Sequence, residues 1–203
     1  ITVSFPFFAK AYRRIQEASY NYTKGLESVF YNAHNDFTWQ NTVLLAPLVV
    51  TDDDETVRRK IMVTATYLDI WLMRRVVNYI RVGYSAIQYT MVQIMKEVRH
   101  KSPEELITVL SQRLAKDDAT LDSAKGGNRK GISDFRINMF TKRYVHYILA
   151  RMTAYAESSC DKGQHFAAYV NRIPTVTKNP YEVEHLWPNH YEDFANVFQT
   201  EDE

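Results

Sequence analysis

The chain reads as a mainly α protein, a multi-helix bundle followed by a shorter segment of loop and strand character. Three observations predict this. Apolar residues recur at three- and four-residue spacing through most of the chain up to Gly163, which is the signature of helices with one buried face. The stripes are interrupted by single punctuating residues, Gly25, Pro47 and Gly83 among them. Past Gly163 the texture changes to Pro174, Pro180, β-branched residues and a short Tyr181-Glu182-Val183-Glu184 alternation. The expected division is an all-helical domain over residues 1–163 and a second module over 164–203.

Each element follows in order. Phe8, Ala11, Ile15, Ala18, Tyr22, Val29 and Phe30 mark one face of a long helix, weakened in its middle by Gly25. "TWQNTVLLAPLVV" predicts a short buried helix that Pro47 kinks or ends. Asp52, Asp53, Asp54 and Glu55 sit where the positive end of the next helix favours acid, with a carboxylate metal cluster as the alternative. That helix carries the stripe Val57, Ile61, Ala65, Leu68, Leu72, Val76 and Tyr79. Its opposite face holds Arg58, Arg59, Arg74 and Arg75, read as a solvated face with phosphate contact as the alternative. Tyr84, Ile87, Met91, Ile94, Met95 and Val98 predict another helix, with the methionines as core fillers.

Ser102, Pro103 and Glu105 spell a capping box with proline in the first turn, and Leu106, Leu110 and Leu114 give the helix that follows its buried side. "DDATLDSAKGGNRKGISDFRI" is a break. Lys125, Arg129 and Lys130 make its middle basic, a plain surface loop or one that tracks a phosphate backbone. Val145, Ile148, Leu149, Met152 and Tyr155 then predict a strong helix, with Lys142, Arg143 and Arg151 outside its stripe and His146 partly buried beside it.

Composition narrows the function classes. The 203 residues are 45% hydrophobic and include 14 Tyr, enough for a substantial core. Lys plus Arg total 25 against 24 Asp plus Glu, so any nucleic-acid surface must come from local clustering. The single Cys160 excludes an internal disulfide and a Cys-based zinc site, and points to a reducing, cytoplasmic setting. No run reaches the ~18 apolar residues of a membrane span, so no membrane partner is expected. The chain opens on Ile1 and stops at "QTEDE", and is expected to be a piece of a longer protein.

The densest chemistry lies in "NPYEVEHLWPNHYEDF", residues 179–194. In an extended segment Glu182 and Glu184 point to one face and Tyr181, Val183 and His185 to the other. If the strand ends near His185, a turn can bring Glu184 and His185 to one site. A carboxylate is a hard ligand for Mg²⁺ or Mn²⁺, and a neutral imidazole can take a proton from water. Those are two parts of phosphodiester hydrolysis. H-E-x-x-H, G-x-S-x-G and the Walker pattern are all absent.

"YEVEHLWPNHYEDF", preceded by "FRINMFTKRYVHYILARMTAYAE", resembles the C-terminal end of GmrSD-like modification-dependent restriction endonucleases, where an HNH-type nuclease module begins. The likeness covers residues 134–198 well, and residues 1–133 only as an all-helical middle segment. It implies a ββα-metal fold after the helices, with His185 as general base on the attacking water and Glu184 as metal ligand. It implies a divalent metal, Mg²⁺ or Mn²⁺, and DNA as substrate, in defence against foreign or modified DNA. His190 inherits no role.

The family's module continues with a second strand or loop bearing a metal-binding Asn, and then a helix. This chain stops at Glu203 before them, and Asn189 and Asn196 lie too early to substitute. An N-terminal nucleotide-handling domain with a D-G-Q-Q-R type motif is also absent here. The expectation is therefore an incomplete module, inactive or nearly so by itself, in a parent that is a DNA endonuclease. A homo-oligomer stays open as a further partner. The alternative function is a non-catalytic helical DNA-docking or protein-interaction module, with the arginine faces and Lys125, Arg129 and Lys130 carrying phosphate contacts.

Overall fold

The computed structural model describes residues 4–123, 131–163 and 165–170. Among them the chain is mainly α. Eight α-helices and one short 3₁₀ turn are present, and no β-strand. The segment for which a ββα arrangement was expected lies outside the described residues.

The predicted first helix is two helices, α1 (Ser4–Tyr20) and α2 (Glu27–His34). Gly25 separates them with φ +79, a left-handed conformation that glycine alone adopts at low cost. The Arg58 guanidinium occupies the space beside it, donating to the Lys24 carbonyl at 2.7 Å. The break folds α2 back onto α1 and lets both faces reach the core. α3 (Gln40–Leu45) is the short buried helix expected before Pro47.

α4 (Asp54–Val77) is the axis of the fold, 24 residues and roughly 36 Å long. Asp53 caps it, its carboxylate accepting from the Thr56 N–H at 2.8 Å, so the acidic run marks a helix start as expected. α4 packs on α2, α3 and α6 and buries residues around most of its circumference, from Val57 to Val77. The predicted stripe is buried from Val57 through Val76. Tyr79 falls outside the helix: its φ of 58 turns the chain, and its hydroxyl donates to the Asp134 carbonyl at 3.0 Å.

α5 (Tyr84–Val98) buries Ile87, Met91, Ile94 and Val98, with Met91 fully enclosed as a core filler. α6 (Pro103–Lys116) begins on the complete Ser102–Glu105 capping box and buries Leu106 and Leu110. α7 (Lys142–Ser159) starts later than "FRINMF" suggested, after a turn in which Asn138 Oδ1 accepts from the Phe140 and Thr141 N–H groups. α8 (Phe166–Val170) is helical where loop and strand were expected. Phe166 and Val170, one turn apart, both bury against α7 and α2, and that packing selects the helix.

Two apolar clusters hold the body. The larger surrounds α4 and includes Ile15, Val43, Ile61, Leu68, Leu72, Ile94 and Leu106. The smaller joins Phe30, Tyr31, Tyr147, Ala150, Ala154, Phe166 and Val170. No helix among the described residues is long and apolar enough to cross a membrane.

Candidate functional site

The residues the sequence assigns to chemistry, Glu184 and His185, lie outside the described residues. So do Lys125, Arg129 and Lys130 of the basic loop. Among the described residues no group of three or more His, Cys, Asp or Glu side chains gathers as a metal cluster. The acids at 52–54 are otherwise engaged: Asp53 caps α4, Asp54 pairs with Lys10 at 2.9 Å, and Asp52 binds the buried Lys60 ammonium at 2.8 Å.

The arginines of α4, read from the sequence as a solvated face, are bonded to neighbouring segments, with Arg59 alone among them exposed. Arg59 pairs with Glu104 at 3.0 Å. Arg74 donates to the Leu114 carbonyl at 2.6 Å. Arg75 lies over the Trp71 ring at 3.7 Å and grips Asp117 with two bonds of 2.9 and 3.2 Å. With Arg58 on the Lys24 carbonyl, all four are spent on joining α4 to its neighbours. A similar clasp lies at α6, where Arg113 Nη1 binds both Glu97 oxygens at 2.7 and 2.8 Å and its Nε donates to the Tyr67 hydroxyl. Burial pushes that Tyr67 hydroxyl up to about 12, so it stays a neutral partner to the guanidinium.

The densest polar construction sits where α2, α4, α7 and α8 meet. Asp69, 5% exposed, projects from the middle of α4 into otherwise apolar surroundings. A buried carboxylate requires partners. Tyr147 donates to its Oδ1 at 2.8 Å and Arg151 Nη1 to its Oδ2 at 3.0 Å. The same Nη1 donates to the Tyr147 hydroxyl at 2.6 Å, closing a triangle. The Arg151 guanidinium lies 3.8 Å above the Tyr31 ring, a cation–π contact that caps the charge with a hydrocarbon face. Tyr31 and Tyr22 share a hydroxyl bond of 2.9 Å, and the His34 ring stacks on Tyr147 at 5.8 Å.

The electrostatics agree with this geometry. Burial, reinforced by Asp69, holds the Tyr147 hydroxyl well above the ordinary tyrosine range. Burial likewise raises Tyr31 and Tyr22. Burial works against the charge on Arg151, but its contacts, led by the Asp69 carboxylate, together outweigh that and the guanidinium stays charged. The triangle is thus an ion pair with a neutral phenol, and Tyr147 and Tyr31 have no route to phenolate at neutral pH.

This cluster forms the polar floor of a groove between α4 and α7, about 520 Å³ in volume, walled by Ile70, Met73, Val77, Ile148 and Met152. The size is that of a small-molecule site. Sequence reasoning placed Arg151 outside the α7 stripe and passed over Asp69. The available signal was a lone acid inside the apolar stretch from Ile61 to Met73, which demands a partner wherever it is buried. Compared with known proteins, the chain matches no family model, no curated sequence and no solved structure.

Proposed function

We propose that this chain is part of a metal-dependent HNH-type endonuclease that hydrolyses phosphodiester bonds in foreign or modified DNA. The observation that carries the reading is the Glu184–His185 pair in "YEVEHLWPNHYEDF", set shortly after the helix that ends "LARMTAYAE". In this reading His185 takes the proton from the attacking water, and Glu184 holds the cation. Bound Mg²⁺ or Mn²⁺ supplies a Lewis acid at the scissile phosphate. The helical body from α1 to α8 is the scaffold that carries the module.

The α4 arginines add little to the DNA-docking alternative, because Arg58, Arg74 and Arg75 are tied to neighbouring segments and Arg59 pairs with Glu104 at the surface. Within that alternative the basic loop of Lys125, Arg129 and Lys130 is the remaining candidate for phosphate contact.

The test uses the full-length protein, plasmid DNA and Mg²⁺ or Mn²⁺. His185→Ala is expected to lower nicking by at least 10²-fold, in the range general acid–base catalysis supplies, with an unchanged circular dichroism melt. Cutting at the wild-type rate by that variant rejects the assignment.

A further inference from the structure

We propose that the groove between α4 and α7 is a binding site for a small organic monoanion with an apolar body, its acidic group held by Arg151. The argument does not rest on the nuclease reading. The walls are aliphatic, with Ile70, Met73, Val77 and Met152 facing one space of about 520 Å³. Polar groups at the floor are few, and their bonding capacity decides what they can still accept. Asp69 has each oxygen engaged, one by Tyr147 and one by Arg151, and its side chain is only 7% exposed. It is therefore a counter-ion and no recognition group. Tyr147 donates its proton to Asp69 and accepts from Arg151, so its hydroxyl has no donor left for an anion.

Arg151 differs. Both of its bonds use the single nitrogen Nη1. Its Nε and Nη2 carry no partner among the described residues, and the side chain is 36% exposed at the groove wall. A guanidinium offers five N–H donors and no acceptor. The free donors therefore select an acceptor, and the retained positive charge favours an anion. The Asp69 carboxylate offsets part of the guanidinium charge from its Nη1 side, so the remaining N–H edge suits one acidic group and disfavours a polyphosphate. Tyr31 beneath the guanidinium fixes the plane of the fork, so a carboxylate meets it with little further ordering.

A second observation supports a partner for this wall. Of the apolar stripe that periodicity gives α7, Val145 and Ile148 are half-buried, yet Leu149, Met152 and Tyr155 are 44, 61 and 76% exposed. Met152 and Tyr155 line the mouth of the groove. Apolar surface at the rim and cationic donors at the floor match a molecule that is apolar along its length and acidic at one end.

The probes are 4-phenylbutyrate and its cationic counterpart 4-phenylbutylammonium, titrated into the full chain labelled with ¹³C at its methionine methyls. The expected result is saturable shifts at Met73 and Met152 with phenylbutyrate, no shift at Met62 or Met95, and at least tenfold weaker binding of the ammonium. Arg151→Met should weaken phenylbutyrate at least tenfold. Should that variant unfold, Met152→Asp decides, since this exposed position adds a repelling charge at the mouth; it too should weaken the acid and spare the fold. Equal binding of acid and ammonium, shifts spread evenly over the methionines, or undiminished affinity in Met152→Asp would each overturn the proposal.

Discussion

At the scale of single residues, charge burial decides the main features. Lys60 is 3% exposed, and its ammonium binds both Asp52 oxygens at 2.9 and 2.8 Å and the Pro47 carbonyl at 3.1 Å. The pair ties the start of α4 to the end of α3. Removing one partner strands a buried charge, which costs far more than the pair contributes. Asp52→Ala is expected to lower stability by ~3 to 5 kcal/mol in urea unfolding. Adding Lys60→Met to that variant should restore most of the loss, because both charges then leave together. A single variant within ~0.5 kcal/mol of wild type, the range of an ordinary surface change, would contradict the buried pair. In the sequence, Lys60 sat beside Ile61 in the α4 stripe with nothing to mark it as internal. Its partner was assigned to a helix start, and that assignment was right for Asp53 but missed the role of Asp52.

At the scale of elements, α7 shows how a correct helix can carry a wrong face. Its buried side is Tyr144, Tyr147, Ala150 and Ala154. Of the predicted stripe, Val145 and Ile148 are half-buried, and Leu149, Met152 and Tyr155 lie outside. The reason is volume. Phe30, Tyr31 and Phe166 fill the space facing α7, with Tyr31 and Phe166 rings edge-on at 4.7 Å, so the helix approaches through small residues. Ala154→Leu should therefore overpack the junction and cost ~1 to 3 kcal/mol. Leu149→Ala, on the exposed side, should stay within ~0.5 kcal/mol. The opposite order in thermal melts would show that the periodicity had chosen the right face.

Helix starts give the pH response. Asp53 is held below the ordinary carboxylate range by hydrogen bonds from Thr56, Glu105 by the Ser102 N–H, and Asp54 by Lys10. A carboxylate depressed in the folded chain contributes stability above its ordinary value of about 4 and loses it as pH falls through the depressed value. The melting temperature should hold from pH 7 to about 5 and decline below about 4. Glu105→Gln should keep the capping geometry and flatten part of that decline; an unchanged acid limb would argue against the box as a contributor.

At the scale of the whole molecule, the described body is an α4-centred bundle whose surface arginines serve as internal ties. Any phosphate contact by the basic loop then depends on Lys125, Arg129 and Lys130. Reversing two of these charges, Arg129→Glu with Lys130→Glu, should weaken DNA binding across sequences. It should also lower the slope of log affinity against log salt by roughly 1 to 2. An unchanged slope in a fluorescence-anisotropy titration would remove the loop from the interface.

The sequence by itself determined what is local. Helix starts at Asp53 and Ser102 follow from side chains that satisfy backbone donors three residues away, and the stop before Pro47 follows from backbone stereochemistry, whereas the break between α1 and α2 was read only as a weak point at Gly25. The Glu184–His185 motif is legible for the same reason, being adjacent in the chain. Only the tertiary structure decided which face of α7 is buried, where the α4 arginines go, and that a groove has Asp69, Tyr147 and Arg151 at its floor. Those partners stand 78 and 82 positions apart, and no periodicity within one helix encodes what the helix across the core presents to it.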